Sequence, residues 1–223
     1  MASKRRNMFY QNKKQETTEI GRWRILEFDY HWRALSYLLN LIDENSWSLD
    51  HVPIGETLTC LGELLPKDVL NHILDMYLES TGEFSDEGEE LYSLARRKVS
   101  RFCGQVLLQA ASLFNLDDFM NAWQQSVPQA ITVDLSDLEG IALYDRDATP
   151  PVVWHCPESD LPEDVAERFD KLFDIRPKWT LQQISPYIRR LATGKQTVNA
   201  LLTKFARCSN ANSTKYYSSR HRK

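Results

Sequence analysis

The residue pairs best suited to chemistry fail on spacing. Gly194-Lys195 has the ending of a phosphate-cradling loop, whose glycines let backbone N–H groups close on the phosphates. Arg189 holds the place of that loop's first glycine, and Gln196 the place where Ser or Thr binds magnesium. His155-Cys156 supplies a base and a nucleophile, but neighbours on a strand point to opposite faces. His31, His51, His72 and His221 keep no spacing with cysteines or carboxylates that builds a zinc site. Cys60, Cys103, Cys156 and Cys208 contain no C-x-x-C pair, which suits reduced thiols inside a cell. Glu83, Asp86, Glu87, Glu89 and Glu90 form a charge run of the solvated-linker type. These observations argue against an enzyme and call for no cofactor and no metal.

Binding chemistry is concentrated at one end. Arg176 to Lys223 holds 11 Lys/Arg and no Asp or Glu, whereas the chain as a whole carries −4. Met1 to Arg24 has 7 basic and 2 acidic residues, and Ile25 to Ile175 has 9 basic and 29 acidic. Charge segregated in this way implies two surfaces with different partners, the basic end suiting a polyanion. If Val198, Leu201, Leu202 and Phe205 face inward on a helix, its outer face presents Gln196, Asn199, Thr203 and Arg207, flanked by Lys195 and Lys204. Amides can bond base edges while cations reach phosphate oxygens. Lys215, Tyr216, Arg220, Arg222 and Lys223 extend the track along a following hairpin and tail. The expected DNA contact, to double or single strands, is phosphate-driven and salt-sensitive. A solvated amphipathic helix is the competing reading. Arg96, Arg97, Lys98 and Arg101 form a further basic cluster, read either as a second phosphate contact or as a solvated or acid-paired helix face.

The elements that would position these residues are short helices. Asp29 is the expected cap of a helix carrying Trp32, Leu35, Leu39 and Ile42, and helices opening at Pro53 and Pro66 follow. Glu79 to Glu90 reads as an acidic connection, followed by a long helix that includes Leu91, Leu94 and Val99. Asn115 caps the next helix, Leu135 to Leu138 makes a helical turn, and Ile141 to Tyr144 with Val152 to Trp154 makes a hairpin. Pro162 opens another helix. Thr180 and Thr193 each start a capping box, Ser209 to Ser213 is a loop, and Lys215-Tyr216-Tyr217 is a returning strand.

The expected fold is therefore mainly α with short β-hairpins, as three tandem winged-helix modules packed in an elongated array. A basic disordered arm at 1–19 precedes modules near 20–85, 86–160 and 161–223. Lys4-Arg5-Arg6 with Lys13-Lys14 is either a nuclear import signal or a solvated tail. The acidic first module, with Trp23, Trp32 and Trp47, is expected to meet protein rather than DNA, although each tryptophan can also be core. The longest apolar stretches, Ala34 to Ile42 and Val106 to Phe114, fall short of the ~18 residues a membrane span needs.

Five separated segments carry a family resemblance. Gly21 to Leu26, Glu44 to Trp47, Trp123 to Pro128, Leu161 to Asp164 and Leu202 to Arg207 stand in an order and rough spacing that resemble the C-terminal half of the family named "defective in sister chromatid cohesion". The resemblance runs from about Ile20 to the C-terminus. It implies a nuclear, non-catalytic subunit of the alternative replication factor C clamp loader, acting in DNA replication, the cell cycle and sister chromatid cohesion. It further implies three winged-helix modules that contact DNA, the other loader subunits and the catalytic subunit of DNA polymerase epsilon, with no membrane partner. The resemblance implies a larger N-terminal docking domain in the family, whereas the residues before Ile20 read as a short basic arm, which bears on the expectation of loader assembly.

Overall fold

The computed structural model describes residues 28–193, 196–211 and 214–220. Helices predominate, and three small antiparallel sheets punctuate them.

The first sheet-and-helix unit begins with α1 (Phe28–Glu44), which buries Ala34, Leu35, Leu38 and Ile42 along one stripe. Asp29, the expected cap, lies within its first turn. Strand β1 (Val52–Pro53), α2 (Ile54–Gly62) and α3 (Lys67–Tyr77) follow, then β2 (Leu78–Phe84) and β3 (Glu90–Leu94). The segment read as an acidic connection is thus a hairpin. Leu91 and Leu94 belong to its returning strand, not to the next helix. The turn closes through Ser85 N–H to Glu89 O at 2.8 Å. Gly88 supplies a φ of +81° there, a conformation in which a Cβ would be strained. All residues of β2 after Leu78 are exposed, so the strand has no apolar alternation to betray it.

The second unit comprises α4 (Arg96–Ala110), β4 (Phe114–Asn115), α5 (Leu116–Gln125), β5 (Ala142–Asp145) and β6 (Val152–His155). Asn115 caps α5 as expected, its side chain accepting from the N–H groups of Asp117 and Asp118. In place of a third helix stands the 3-10 turn Leu135–Leu138. The third unit comprises α6 (Val165–Ile175), β7 (Trp179–Thr180), α7 (Leu181–Ile188), α8 (Val198–Phe205), β8 (Ala206–Ala211) and β9 (Thr214–Ser219).

The same connectivity recurs. In each sheet the short first strand pairs with the last strand of the hairpin, in the orders β1-β3-β2, β4-β6-β5 and β7-β9-β8. The first two units share a single apolar core running from Ala34 to Val153. A second core, from Leu143 to Tyr217, holds the third unit. His31 on α1 shows how the first two merge: its ring stacks on Phe102 of α4 at 4.3 Å and bonds the Tyr77 hydroxyl of α3 at 2.8 Å.

Polar links knit the third unit together and join it to the second. Arg168 is 3% exposed. Its guanidinium meets the Glu158 carboxylate and donates to the carbonyl oxygens of Pro162, Tyr187 and Leu161. Arg176 donates to Tyr144 O at 2.5 Å.

Candidate nucleic-acid interface

The third unit orients its basic residues through two local caps. Thr180 and Gln183 form the expected capping box at the start of α7. The second expected box, at Thr193, does not form. Thr193 and Gln196 instead bridge through their backbones, and Thr197 caps α8 by accepting from Ala200 N–H at 3.2 Å. Leu201 and Leu202 anchor α8 to the core.

The stripe anticipated from 196 to 207 is therefore cut at both ends. Gln196 lies ahead of the helix and is half-buried, and Arg207 lies beyond it on β8. Asn199 and Thr203 remain together and exposed, although the Thr203 hydroxyl donates to Asn199 O at 2.8 Å. That bond occupies the proton a base acceptor would need. Lys204 is exposed at the end of α8, its ammonium 5.1 Å from the Phe205 ring centroid. Arg220 comes back to the same end and donates to Lys204 O at 3.0 Å. A guanidinium there also complements the negative end of the helix dipole.

The expected loop at Ser209 to Ser213 is partly strand, because β8 continues to Ala211 in unbroken register with β9. Lys215 is exposed on β9 with its ammonium 5.6 Å from the Tyr217 ring, and Tyr216 is half-buried. Lys195, Arg222, Lys223 and His221 lie outside the described residues. Among the described residues, Lys204, Arg207, Lys215 and Arg220 make no ion pair with a carboxylate. Arg189 and Arg190 add exposed cations outside that stripe, Arg190 facing Glu158 at a loose 3.8 Å. Their signal was present in the sequence as part of the acid-free stretch.

The second basic cluster behaves differently. Arg96 pairs with Asp50 at 2.7 Å, Arg97 with Asp137 at 3.1 Å and Lys98 with Glu79 at 3.1 Å. Arg101 is spent on the carbonyl oxygens of Asp137 and Glu139. Of the two readings left open, the acid-paired helix face is the one observed. The cleft between the second and third units mixes Arg146 and Arg176 with Asp117, Asp134 and Glu139, a lining that does not select a polyanion.

The His155-Cys156 pair does not have the surroundings of an activated nucleophile. Burial pushes the Cys156 thiol up and the His155 imidazole down, and His155 Nε2 is buried with no hydrogen-bond partner among the described residues. A thiolate needs the reverse surroundings. Trp32 and Trp47 pack partly buried against the first core; Trp23 lies outside the described residues.

Comparison with known proteins adds ancestry to this geometry. The profile of the family described as "Sister chromatid cohesion protein Dcc1" matches residues 8–188. The sister chromatid cohesion protein DCC1 of Homo sapiens is 44% identical over 200 residues, covering 90% of this chain and 50% of that protein. The DCC1 of Danio rerio is likewise 44% identical over 200 residues, with coverage of 90% and 51%. The Saccharomyces cerevisiae DCC1 is 24% identical over 190 residues, covering 82% of this chain and 50% of the relative. The chain spans about half the length of the curated relatives it matches. On the matched span and on this identity, the chain belongs to the Dcc1 family of sister chromatid cohesion proteins.

Proposed function

We propose that the chain is a non-catalytic, DNA-binding and polymerase-tethering part of the nuclear clamp-loading assembly that serves replication and sister chromatid cohesion. The connectivity of each unit, with its first strand paired to the last, supports reading the three as winged-helix modules near 20–85, 86–160 and 161–223. The first hairpin spans the expected boundary at 85/86, so on this reading the first module runs on to Leu94 and the second starts with α4. The observation that carries DNA binding is the contrast between two basic groups. Cations on α4 are neutralised by acids, whereas Lys204, Arg207, Lys215 and Arg220 are exposed and without a carboxylate among the described residues. Free cations displace counterions from phosphates, and paired ones do so at the cost of their partners.

The acidic hairpin of the first unit repels phosphate and supports a protein contact there, for which the polymerase is the family's candidate. Phe84 beside Glu83 is 67% exposed, and this favours a second reading as a protein-interaction scaffold without DNA binding. Filter binding to duplex and single-stranded DNA across a salt series separates the two. Exchange of Lys204, Lys215 and Arg220 for Glu is expected to abolish retention at physiological salt. An unchanged affinity and salt slope would sink the DNA reading and leave the scaffold.

A further inference from the structure

Arginine stands three residues ahead of a serine or threonine at four places in the chain: Arg33 before Ser36, Arg97 before Ser100, Arg146 before Thr149 and Arg190 before Thr193. A cation at that spacing is the charge pattern by which basophilic protein kinases select a hydroxyl, and the fold treats the four differently. Ser36 lies inside α1, half-buried, its hydroxyl donating to Trp32 O at 2.8 Å. Ser100 has the richest run of cations before it, Arg96-Arg97-Lys98. It is nevertheless 1% exposed on α4, and its hydroxyl donates to the Asp137 carboxylate at 2.8 Å. Thr149 is exposed, but Asp145 and Asp147 bracket its arginine, and an acidic pocket that attracts the cation repels their carboxylates.

Thr193 has none of these obstacles. It is exposed, as are Arg189 and Arg190 before it, and residues 176–223 contain no Asp or Glu. A kinase cleft reads an extended segment, so the flanking backbone has to open. Arg189–Leu191 is a single 3-10 turn with no buried residue, and Ala192 N–H caps it on Arg189 O at 3.1 Å. Thr193 itself closes a backbone bridge with Gln196, at 3.1 and 3.0 Å. A short exposed turn of this kind opens at little cost, whereas Ser36 and Ser100 belong to helices of 17 and 15 residues.

We propose that Thr193 is a phosphorylation site for a basophilic serine/threonine kinase that reads Arg190, with Arg189 beside it. The Thr193 hydroxyl oxygen bonds to the γ-phosphorus of ATP as the bond from that phosphorus to the ADP oxygen breaks, and the hydroxyl proton passes to the kinase's aspartate. The product carries roughly −1.5 to −2 at pH 7, in a stretch of 11 Lys/Arg and no carboxylate side chain. Arg190 can then exchange its loose 3.8 Å approach to Glu158 for a phosphate close by in sequence, while Glu158 keeps Arg168. The site stands apart from the DNA reading, because the modification itself is what is measured.

The test incubates the folded full chain with ATP and the catalytic domain of calmodulin-dependent kinase II, which selects Arg at this spacing, and maps phosphate by peptide mass spectrometry. Phosphate is expected on Thr193 and not on Ser36 or Ser100, and Thr193→Ala removes it. Arg190→Gln is expected to lower the initial rate about tenfold, as for loss of a charge-assisted contact, with partial recovery in Arg190→Lys. A synthetic peptide of residues 95–104 is expected to be modified at Ser100, which assigns the silence of that residue in the folded chain to burial. Phosphate on Ser100 or Thr149 ahead of Thr193, or an undiminished rate in Arg190→Gln, overturns the assignment. A folded chain left unmodified at Thr193 overturns it too, and a peptide of residues 188–196 then tells a turn that stays closed from a motif the kinase does not read.

Discussion

The Tyr187 hydroxyl on α7 donates to the Ala142 carbonyl oxygen on β5 at 3.0 Å, and this buried bond ties the third unit to the second. Burial pushes the phenol well above its ordinary range, so it remains a donor at any physiological pH. Tyr187→Phe keeps the ring, which packs against Trp179, and strands the carbonyl. Urea unfolding is expected to show a loss of about 1–3 kcal/mol.

Arg168 knits the third unit around its buried guanidinium, and its cost on removal is larger. Its guanidinium satisfies Glu158 and three backbone carbonyls inside the protein. Arg168→Met removes the charge while filling much of the space, leaving Glu158 short of its partner. A destabilisation of about 3–5 kcal/mol is expected, with unfolding of the second core preceding that of the first. Full stability in this variant would show the network to be decorative.

His31 makes stability depend on mild acid. Burial, and then the nearby His72, lower its pKa from 6.5 to about 4. The unfolded chain thus binds a proton that the folded chain refuses between those values, so stability falls as pH drops from 6.5 toward 4. Partial solvent access reduces the effect, and about 1–2 kcal/mol between pH 7 and pH 5 is expected. His31→Gln should flatten that dependence in melts recorded at the two pH values.

Gly104 allows α4 to lie close to its neighbours. A Cβ there would stand 2.8 Å from Trp123 Cε2 and 2.8 Å from Leu138 Cδ2. Trp123 cannot retreat easily, because it is fully buried and its Nε1 donates to Ser100 O at 2.8 Å. Gly104→Ala is expected to cost about 1–3 kcal/mol through overpacking, despite the usual helical advantage of alanine.

The thiols divide by depth. Cys60 and Cys208 are exposed, while Cys103 and Cys156 are buried, and burial pushes the Cys103 thiol up to about 12. Iodoacetamide at pH 8 should label Cys60 and Cys208 in the folded chain, and all four only after denaturation. Mass spectrometry of the labelled peptides reads the outcome. Modification of Cys103 in the native state would contradict the shared core.

Sequence alone determined what depends on composition and on local spacing. The acid-free stretch from Arg176, the caps at Asn115 and Thr180, the hairpin strands of the second unit and the segments of family resemblance are all local facts. Tertiary structure decided the rest, because those features depend on distant partners. The acidic stretch from Glu79 to Glu90 becomes a hairpin because β2 pairs back on β3, which β1 in turn pairs at Leu91 and Tyr92, and its exposed strand carries no periodicity of its own. Arg96 and Lys98 count as cations in sequence, yet Asp50 and Glu79 neutralise them across the fold. Arg207 and Lys215 look equivalent as charges, but the ladder register places them on opposite faces. Net charge survives any folding, whereas the direction in which each charge points is fixed by register and packing.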